Sequence, residues 1–340
     1  MNLMLIILFN LIIFLNIDFI IKKYGVYDYP DKIRKIHKKK TSLSGGLIIF
    51  LNILVIILCY SFQGSQFENL IKYFFNNNII YLFLFLFHLT VIFLFGFFDD
   101  KFNISAKKKI IFLLIFIFFL ISLDSSLVIS KINFSFSSDV FYLKEFKIFF
   151  TILCFLLFIN AYNMLDGINC QAAFYAIFIF LIFILNKVYY VFFSNLIIIL
   201  LFFSWFNFKN KMFLGNSGSL LLSYIIGFFF IKSYNVNSTF YTDEIFLIMM
   251  IPGIELLRLA ILRILNKKHP FKADRNHIHH IIINNKTLLF TFLIIQILLM
   301  FPFILFLYFK NFFLVFSLSL AIYFTCIYYY SFNKNYGKKQ

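Results

Sequence analysis

The sequence predicts an all-α polytopic membrane protein of about eleven (10–11) transmembrane helices, with a small extracytoplasmic β-hairpin in residues 125–146. Three observations carry this. First, 62% of the 340 residues are hydrophobic and only 13% are charged, whereas a soluble domain holds about 25% charged residues. A soluble fold of this length could not hide so much apolar surface, and a lipid solvent removes the need to. Second, the apolar residues fall in runs close to the roughly 20 residues that a bilayer core demands. Third, Lys and Arg are sorted between alternate loops. The 56 Phe residues are given no functional weight, because Phe, Ile, Asn and Lys share A/T-rich codons that a skewed genome enriches together.

The runs lie near 3–21, 43–62, 79–98, 108–124, 147–163, 171–186, 188–205, 218–232, 244–265, 288–309 and 311–332. The first has no positive charge ahead of it and no small-residue cleavage site, and Lys22-Lys23 follow it. It is therefore expected to be a retained span rather than a signal peptide. Residues 171–205 as one helix would reach roughly 50 Å, beyond a bilayer core of about 30 Å, so the spacing predicts a break at Asn186-Lys187. The same reasoning divides 288–332 at Lys310-Asn311. The count becomes ten if one of these short pairs is re-entrant. No repeat, long linker or second domain is visible, so residues 1–340 read as a single integral membrane domain.

Charge sets the orientation. With the N-terminus outside and the C-terminus inside, the inner loops collect roughly three cationic residues for each one outside, as the positive-inside rule requires. Lys22, Lys23, Lys101, Lys107, Lys108, Lys109, Lys267 and Lys268 are among the inner set, and Lys131, Lys144 and Lys187 among the outer. Arg258 and Arg263 fall inside the ninth run. The net charge of +17 thus reflects topology and attraction to anionic headgroups, and nucleic acid is excluded as a partner. Cys59, Cys154, Cys170 and Cys326 form no CxxC pair and read as apolar filler, not as disulfides or a zinc site. In the outer loop, Ile129 to Phe136 alternates apolar and polar residues, which is strand periodicity.

On this topology every dense polar cluster lies on the cytoplasmic side. Asp28-Tyr29-Pro30-Asp31 begins the series. Asp99-Asp100 follows; adjacent carboxylates repel and persist best beside a cation such as Mg2+, although two solvated acids capping the next segment would give the same pattern. Asn160, Asn163 and Asp166 stand three residues apart, on one helical face, and would line a cleft rather than face lipid. Gly167 is expected to end that helix as a C-terminal glycine. Gly215-Asn216-Ser217-Gly218-Ser219 opens a helix, and free N–H groups at a helix N-terminus suit an anion. His277, His279 and His280 lack further ligands at zinc spacing. Beside Asp274, Arg275, Lys267 and Lys268 they better suit a phosphate or nucleotide.

Taken together and in order, these clusters resemble the polyprenyl-phosphate N-acetylhexosamine-1-phosphate transferases, the family that includes WecA and MraY (glycosyltransferase family 4). Tyr27 to Asp31, through Arg34-Lys35-Ile36-His37 to Gly45-Gly46, is similar to the opening signature. Asp99-Asp100 with Ile104-Ser105 and Lys109 resembles the aspartate-pair motif, Asn160 to Gly167 the Asn-x-x-Asn-x-x-Asp-Gly motif, and Phe213 to Ser219 the Gly-Asp-x-Gly-Ser loop. Pro270-Phe271 through His280 resembles the His-x-His-His loop of the WecA branch; MraY carries three consecutive His there. The resemblance covers about residues 25–285. The chain departs from it at Asn103, Asn169 and Asn216, where the family has acids, and at Cys170, where it has Gly.

The resemblance implies transfer of a sugar 1-phosphate, N-acetylglucosamine-1-phosphate or a related N-acetylhexosamine, from a UDP-sugar to undecaprenyl phosphate, with release of UMP, at the cytoplasmic face of a bacterial inner membrane. It implies Asp99, Asp100 and Asp166 as catalytic residues. Mg2+ (or Mn2+) would lie among Asp99, Asp100, Asn163 and Asn216. Asn160, Asn163, Arg275, His277, His279 and His280 would hold the donor, and Lys109 with the Lys38–Lys40 run the lipid phosphate. Its partners are the bilayer and the two substrates, with a homodimer compatible. MraY-type transfer of a muramyl peptide and a non-catalytic relative are the alternatives. A transporter is disfavoured by the missing repeat and by polar groups gathered at one surface.

Overall fold

The computed structural model describes residues 2–30, 39–62, 64–75, 78–236, 238–270 and 274–336. Helices dominate: α1 (Asn2–Leu15), α2 (Ile17–Tyr24), α3 (Gly45–Ser61), α4 (Gly64–Phe74), α5 (Ile79–Phe102), α6 (Ala106–Leu123), α7 (Lys147–Leu165), α8 (Gln171–Leu185), α9 (Tyr190–Phe208), α10 (Gly215–Asn235), α11 (Thr242–Leu265), α12 (Ile278–Ile283), α13 (Leu288–Phe309) and α14 (Phe312–Tyr336). Both predicted breaks occur where bilayer length demands them. Lys187 and Tyr189 turn the chain through positive φ between α8 and α9, and Lys310 does so between α13 and α14.

Each expected span position is helical. By length and composition seven of the described helices can cross a membrane, or eight if α1 and α2, bent by 70°, form one span. α3 and α8, of 17 and 15 residues, are shorter, and α6 opens on Lys107, Lys108 and Lys109. The protein is thus a mostly helical, multi-pass membrane protein.

α10 is the central post. It packs against α3, α5, α7 and α8 and is buried along its whole apolar stretch. Its composition explains why. It is the least hydropathic of the seven, with Ser217, Ser219, Ser223 and Ser233 all buried. A helix that meets no lipid can trade bulk for small residues that let neighbouring backbones approach. Near its far end the buried Lys232 pairs with Asp124 at 2.7 Å and donates to Ser126, so its charge is not left alone in the interior. α11, α13 and α14 form a second group beside α7 and α8.

The predicted hairpin is present. β3 (Lys131–Asn133) pairs antiparallel with β4 (Val140–Tyr142) in the register Ile132 to Phe141. Ser135 N–H donates to Asp243 Oδ1 at 2.8 Å and Tyr234 Oη to the Lys131 carbonyl at 2.9 Å, fastening it to α10 and α11. A second small sheet, not predicted, joins β1 (Tyr27–Asp28) to β2 (Thr41–Ser42). The Ser42 carbonyl accepts from Phe213 N–H at 2.7 Å, which brings the first loop to the start of α10.

Candidate active site

The site is built at the junction of α5 and α10. Asp100 Oδ1 accepts from Asn216 N–H at 2.7 Å and Oδ2 from Ser217 N–H at 3.0 Å. These amides belong to the first turn of α10, where N–H groups have no intrahelical partner and the dipole favours an anion. The helix N-terminus read from sequence as a seat for a substrate anion is therefore filled by the chain's own carboxylate. Glycines permit the approach. A Cβ on Gly96 would lie 2.4 Å from Ser217 Cα, and Gly215, at φ +73°, has room only for hydrogen against Asp100. Gly45 and Gly46 donate to the Phe213 and Leu214 carbonyls at 3.0 and 3.1 Å.

Asp99, 1% exposed, accepts from Ile104 N–H at 2.9 Å and forms an ion pair with Lys109. Asn103 ends α5 in the left-handed region at φ 51°, a conformation Asn tolerates better than most residues.

α7 supplies the wall. Asn160, Asn163 and Asp166 all line one cleft of about 1840 Å³, as their spacing predicts. Asn160 Nδ2 turns back to the Leu156 carbonyl at 2.8 Å, and Asn163 Oδ1 accepts from Ser219 Oγ at 2.5 Å. The Asp166 carboxylate makes no hydrogen bond or ion pair with any described residue. Burial first, then the neighbouring Asp100 charge, push its carboxyl up to about 7. Gly167 does not terminate the helix through a left-handed φ, contrary to expectation. It is glycine because a Cβ there would lie 2.1 Å from His279 Cε1. Just beyond, Asn169 Nδ2 donates to the Asn207 carbonyl at 2.9 Å and to Asn210 Oδ1 at 2.8 Å, which a carboxylate could not do. Cys170, at φ 64°, donates its N–H to Asn207 Oδ1 at 2.5 Å.

The third wall is the histidine segment. His277, His279 and His280 cluster with ring centroids 4.3 to 6.2 Å apart and line the same cleft. Burial, then the charges of His280 and His277, drive the His279 imidazole well below its ordinary value, so it is neutral at physiological pH. Burial also lowers His277. Arg263, not singled out from sequence, lines the cleft, pairs with Asp274 at 2.7 Å and donates to the Pro270 carbonyl at 2.6 Å. Burial opposes ionisation of Asp274, but the Arg263 guanidinium and the Asn276 amide outweigh it and hold the carboxyl below the usual range. Arg275, expected to bind substrate, is exposed and outside the cleft lining.

From the first loop, Asp28, Tyr29 and Lys39 reach the cleft, while Lys40 lies over the Tyr27 ring at 5.2 Å. Asp31, Arg34, Lys35, Ile36, His37 and Lys38, with Phe271, lie outside the described residues. One flank is apolar, with Phe174, Leu201, Trp205, Leu288 and Phe292.

Among the described residues no three His, Cys, Asp or Glu side chains converge to hold a metal by themselves. The donor set nevertheless fits a hard divalent cation. Asp166 has no cation partner among the described residues and is close enough to Asp100 for the charges to repel, and Asn163 and Asn216 line the same cleft. Oxygen donors completed by substrate phosphates are what Mg2+ takes.

Fold and site together define a class: a multi-pass helical membrane protein with a cleft lined by acids, carboxamides, imidazoles and apolar side chains. Residues 81–234 match the family described as glycosyl transferase family 4. A probable undecaprenyl-phosphate N-acetylglucosaminyl 1-phosphate transferase of Bacillus subtilis is 27% identical over 273 residues, 76% of this chain and 70% of that protein. The undecaprenyl-phosphate alpha-N-acetylglucosaminyl 1-phosphate transferases of Escherichia coli K12 and Thermotoga maritima are 25% and 26% identical, covering 77% and 76% of this chain and 70% and 74% of theirs. Over residues 81–234 the chain is thus similar to glycosyl transferase family 4.

Proposed function

We propose that this protein transfers N-acetylglucosamine 1-phosphate from its UDP conjugate to undecaprenyl phosphate, the first step of a lipid-linked glycan. An oxygen of the lipid phosphate bonds to the β-phosphorus of the donor. The bond from that phosphorus to the bridging oxygen breaks, and its electron pair leaves with UMP. The observation that carries this reading is the meeting of four separated chain segments, around Asp100, Asp166, Asn216 and His277, in a single cleft. The names of the relatives support the lipid acceptor and the sugar.

Phosphoryl transfer needs positioning and charge neutralisation more than covalent help. Asp100 and Asp166, with the amide oxygens of Asn163 and Asn216, would hold Mg2+ (or Mn2+), which would neutralise diphosphate charge when bound. Asp99 is committed to Lys109 and is better suited to orient that ammonium toward the acceptor phosphate than to ligate metal. Lys39 and Arg263 bring further positive charge to the cleft. His277 and His280 can each offer a ring N–H to a donor phosphate oxygen. Eleven crossings, with the N-terminus outside and the C-terminus inside a bacterial inner membrane, would open the cleft to the cytoplasm, where a nucleotide sugar is available.

The test is transfer of radiolabelled sugar phosphate from UDP-N-acetylglucosamine to undecaprenyl phosphate in membranes. Asp166→Asn should lose at least about a hundredfold in rate, the scale of a lost transition-state electrostatic contact. Equal rates for wild type and variant overturn the assignment. Mass spectrometry of the lipid product from a panel of UDP-sugars identifies the sugar.

A further inference from the structure

Behind the histidine segment lies a polar knot that takes no direct part in the cleft. Glu255 of α11 is only 4% exposed, yet its carboxylate is fully engaged. It receives the Arg258 guanidinium in a two-pronged pair, both contacts at 2.9 Å. It also accepts from the Ile278 amide at 2.8 Å and from the hydroxyl of Tyr323, on α14. Arg258 in turn contacts Tyr323 Oη at 3.1 Å and donates to the Asn276 carbonyl at 2.7 Å. The peptide groups on either side of His277 are therefore both clamped, the carbonyl before it by Arg258 and the N–H after it by Glu255. His277 makes no capping hydrogen bond of its own to α12, so Glu255 does that work.

We propose that Glu255, Arg258 and Tyr323 are positioning residues for donor binding: they fix the backbone on both sides of His277 and thereby aim the three imidazoles into the cleft. This makes α14, which lies beyond the matched family segment, a contributor to the site. The proposal rests on the donor role given above to the histidines. The physical case is that a buried ion pair gains little net stability over an apolar pair of equal volume. Its geometry, by contrast, sets a unique loop conformation, because planar two-pronged pairing admits one orientation.

The test uses the full-length protein in nanodiscs. Tyr323→Phe removes one hydroxyl and keeps the ring. Arg258→Lys keeps the charge and loses the fork. For Tyr323→Phe the KM for UDP-N-acetylglucosamine should rise about threefold, and for Arg258→Lys about tenfold, the range expected for lost charged hydrogen bonds. kcat and the KM for undecaprenyl phosphate should stay within about twofold. Arg258→Met should be worse than Arg258→Lys. In parallel, hydrogen exchange of the 276–283 amides without substrate should accelerate in Tyr323→Phe relative to wild type. Unchanged exchange overturns the clamp. Faster exchange with an unchanged donor KM, or an equal change in both KM values, overturns its role in donor binding. If wild type transfers nothing from the UDP-sugar, the function above fails while the exchange experiment still judges the clamp. If Arg258→Lys does not fold, Tyr323→Phe decides.

Discussion

Asp166 is an acid whose carboxylate meets no cation among the described residues. Its folded pKa of about 7 stands above an unfolded value of about 3.9. The folded state therefore binds more protons between those values, and stability falls as pH rises from about 4 to about 7. Asp166→Asn should melt above wild type at pH 8 without divalent ions, the gap closing as pH falls toward 4. Mg2+ at pH 8 should stabilise wild type and not the variant. Parallel melting curves across pH would contradict this. Asn216 is the second residue to examine, since an acid there would add charge beside Asp100. Asn216→Asp should lower the Mg2+ concentration for half-maximal transfer several-fold, read from initial rates. At this scale the sequence told much and concealed some. The acids, carboxamides and histidines were legible because polar residues at the ends of apolar runs are conspicuous. Glu255 inside the ninth run gives no cluster signal, and Arg258, visible there, has no role that sequence alone assigns, although charge buried in an apolar helix calls for a partner. Asn169, taken as a lost acid, proves to be an amide that donates twice.

Among elements, the α5–α10 contact is the one on which the site depends. Gly96 sits against the backbone of α10, so the added methyl of Gly96→Ala has nowhere to go. It should cost at least about 1–3 kcal/mol and part Asp100 from its amides. Gly253, in α11, has nothing within 4 Å of its missing Cβ. Gly253→Ala should be neutral or stabilising by about 0.5–1 kcal/mol. Thermal denaturation of the two detergent-solubilised variants checks the contrast. Helix positions were readable because bilayer thickness imposes a length on each run. α4 was missed because it is amphipathic and short, so no length rule applies. The bend between α1 and α2 had only Asn16 and Asp18 to mark it.

For the whole molecule, the hairpin and the cleft should face opposite compartments. In a cysteine-free background, Ser138→Cys should react with a membrane-impermeant maleimide in intact cells. Lys268→Cys should react only after permeabilisation. Reversed labelling would invert the orientation. The pairing of Asp100 with the start of α10 also bears on how the chain is made. The two partners are 116 residues apart, so α5 enters the membrane well before α10 has been synthesised. Until α10 arrives, Asp100 is a bare anion with only water to solvate it. It must wait at the aqueous surface, and it marks the depth at which α5 stops. This contact is thus closed only after α3, α5, α7 and α8, the neighbours of α10, have been made.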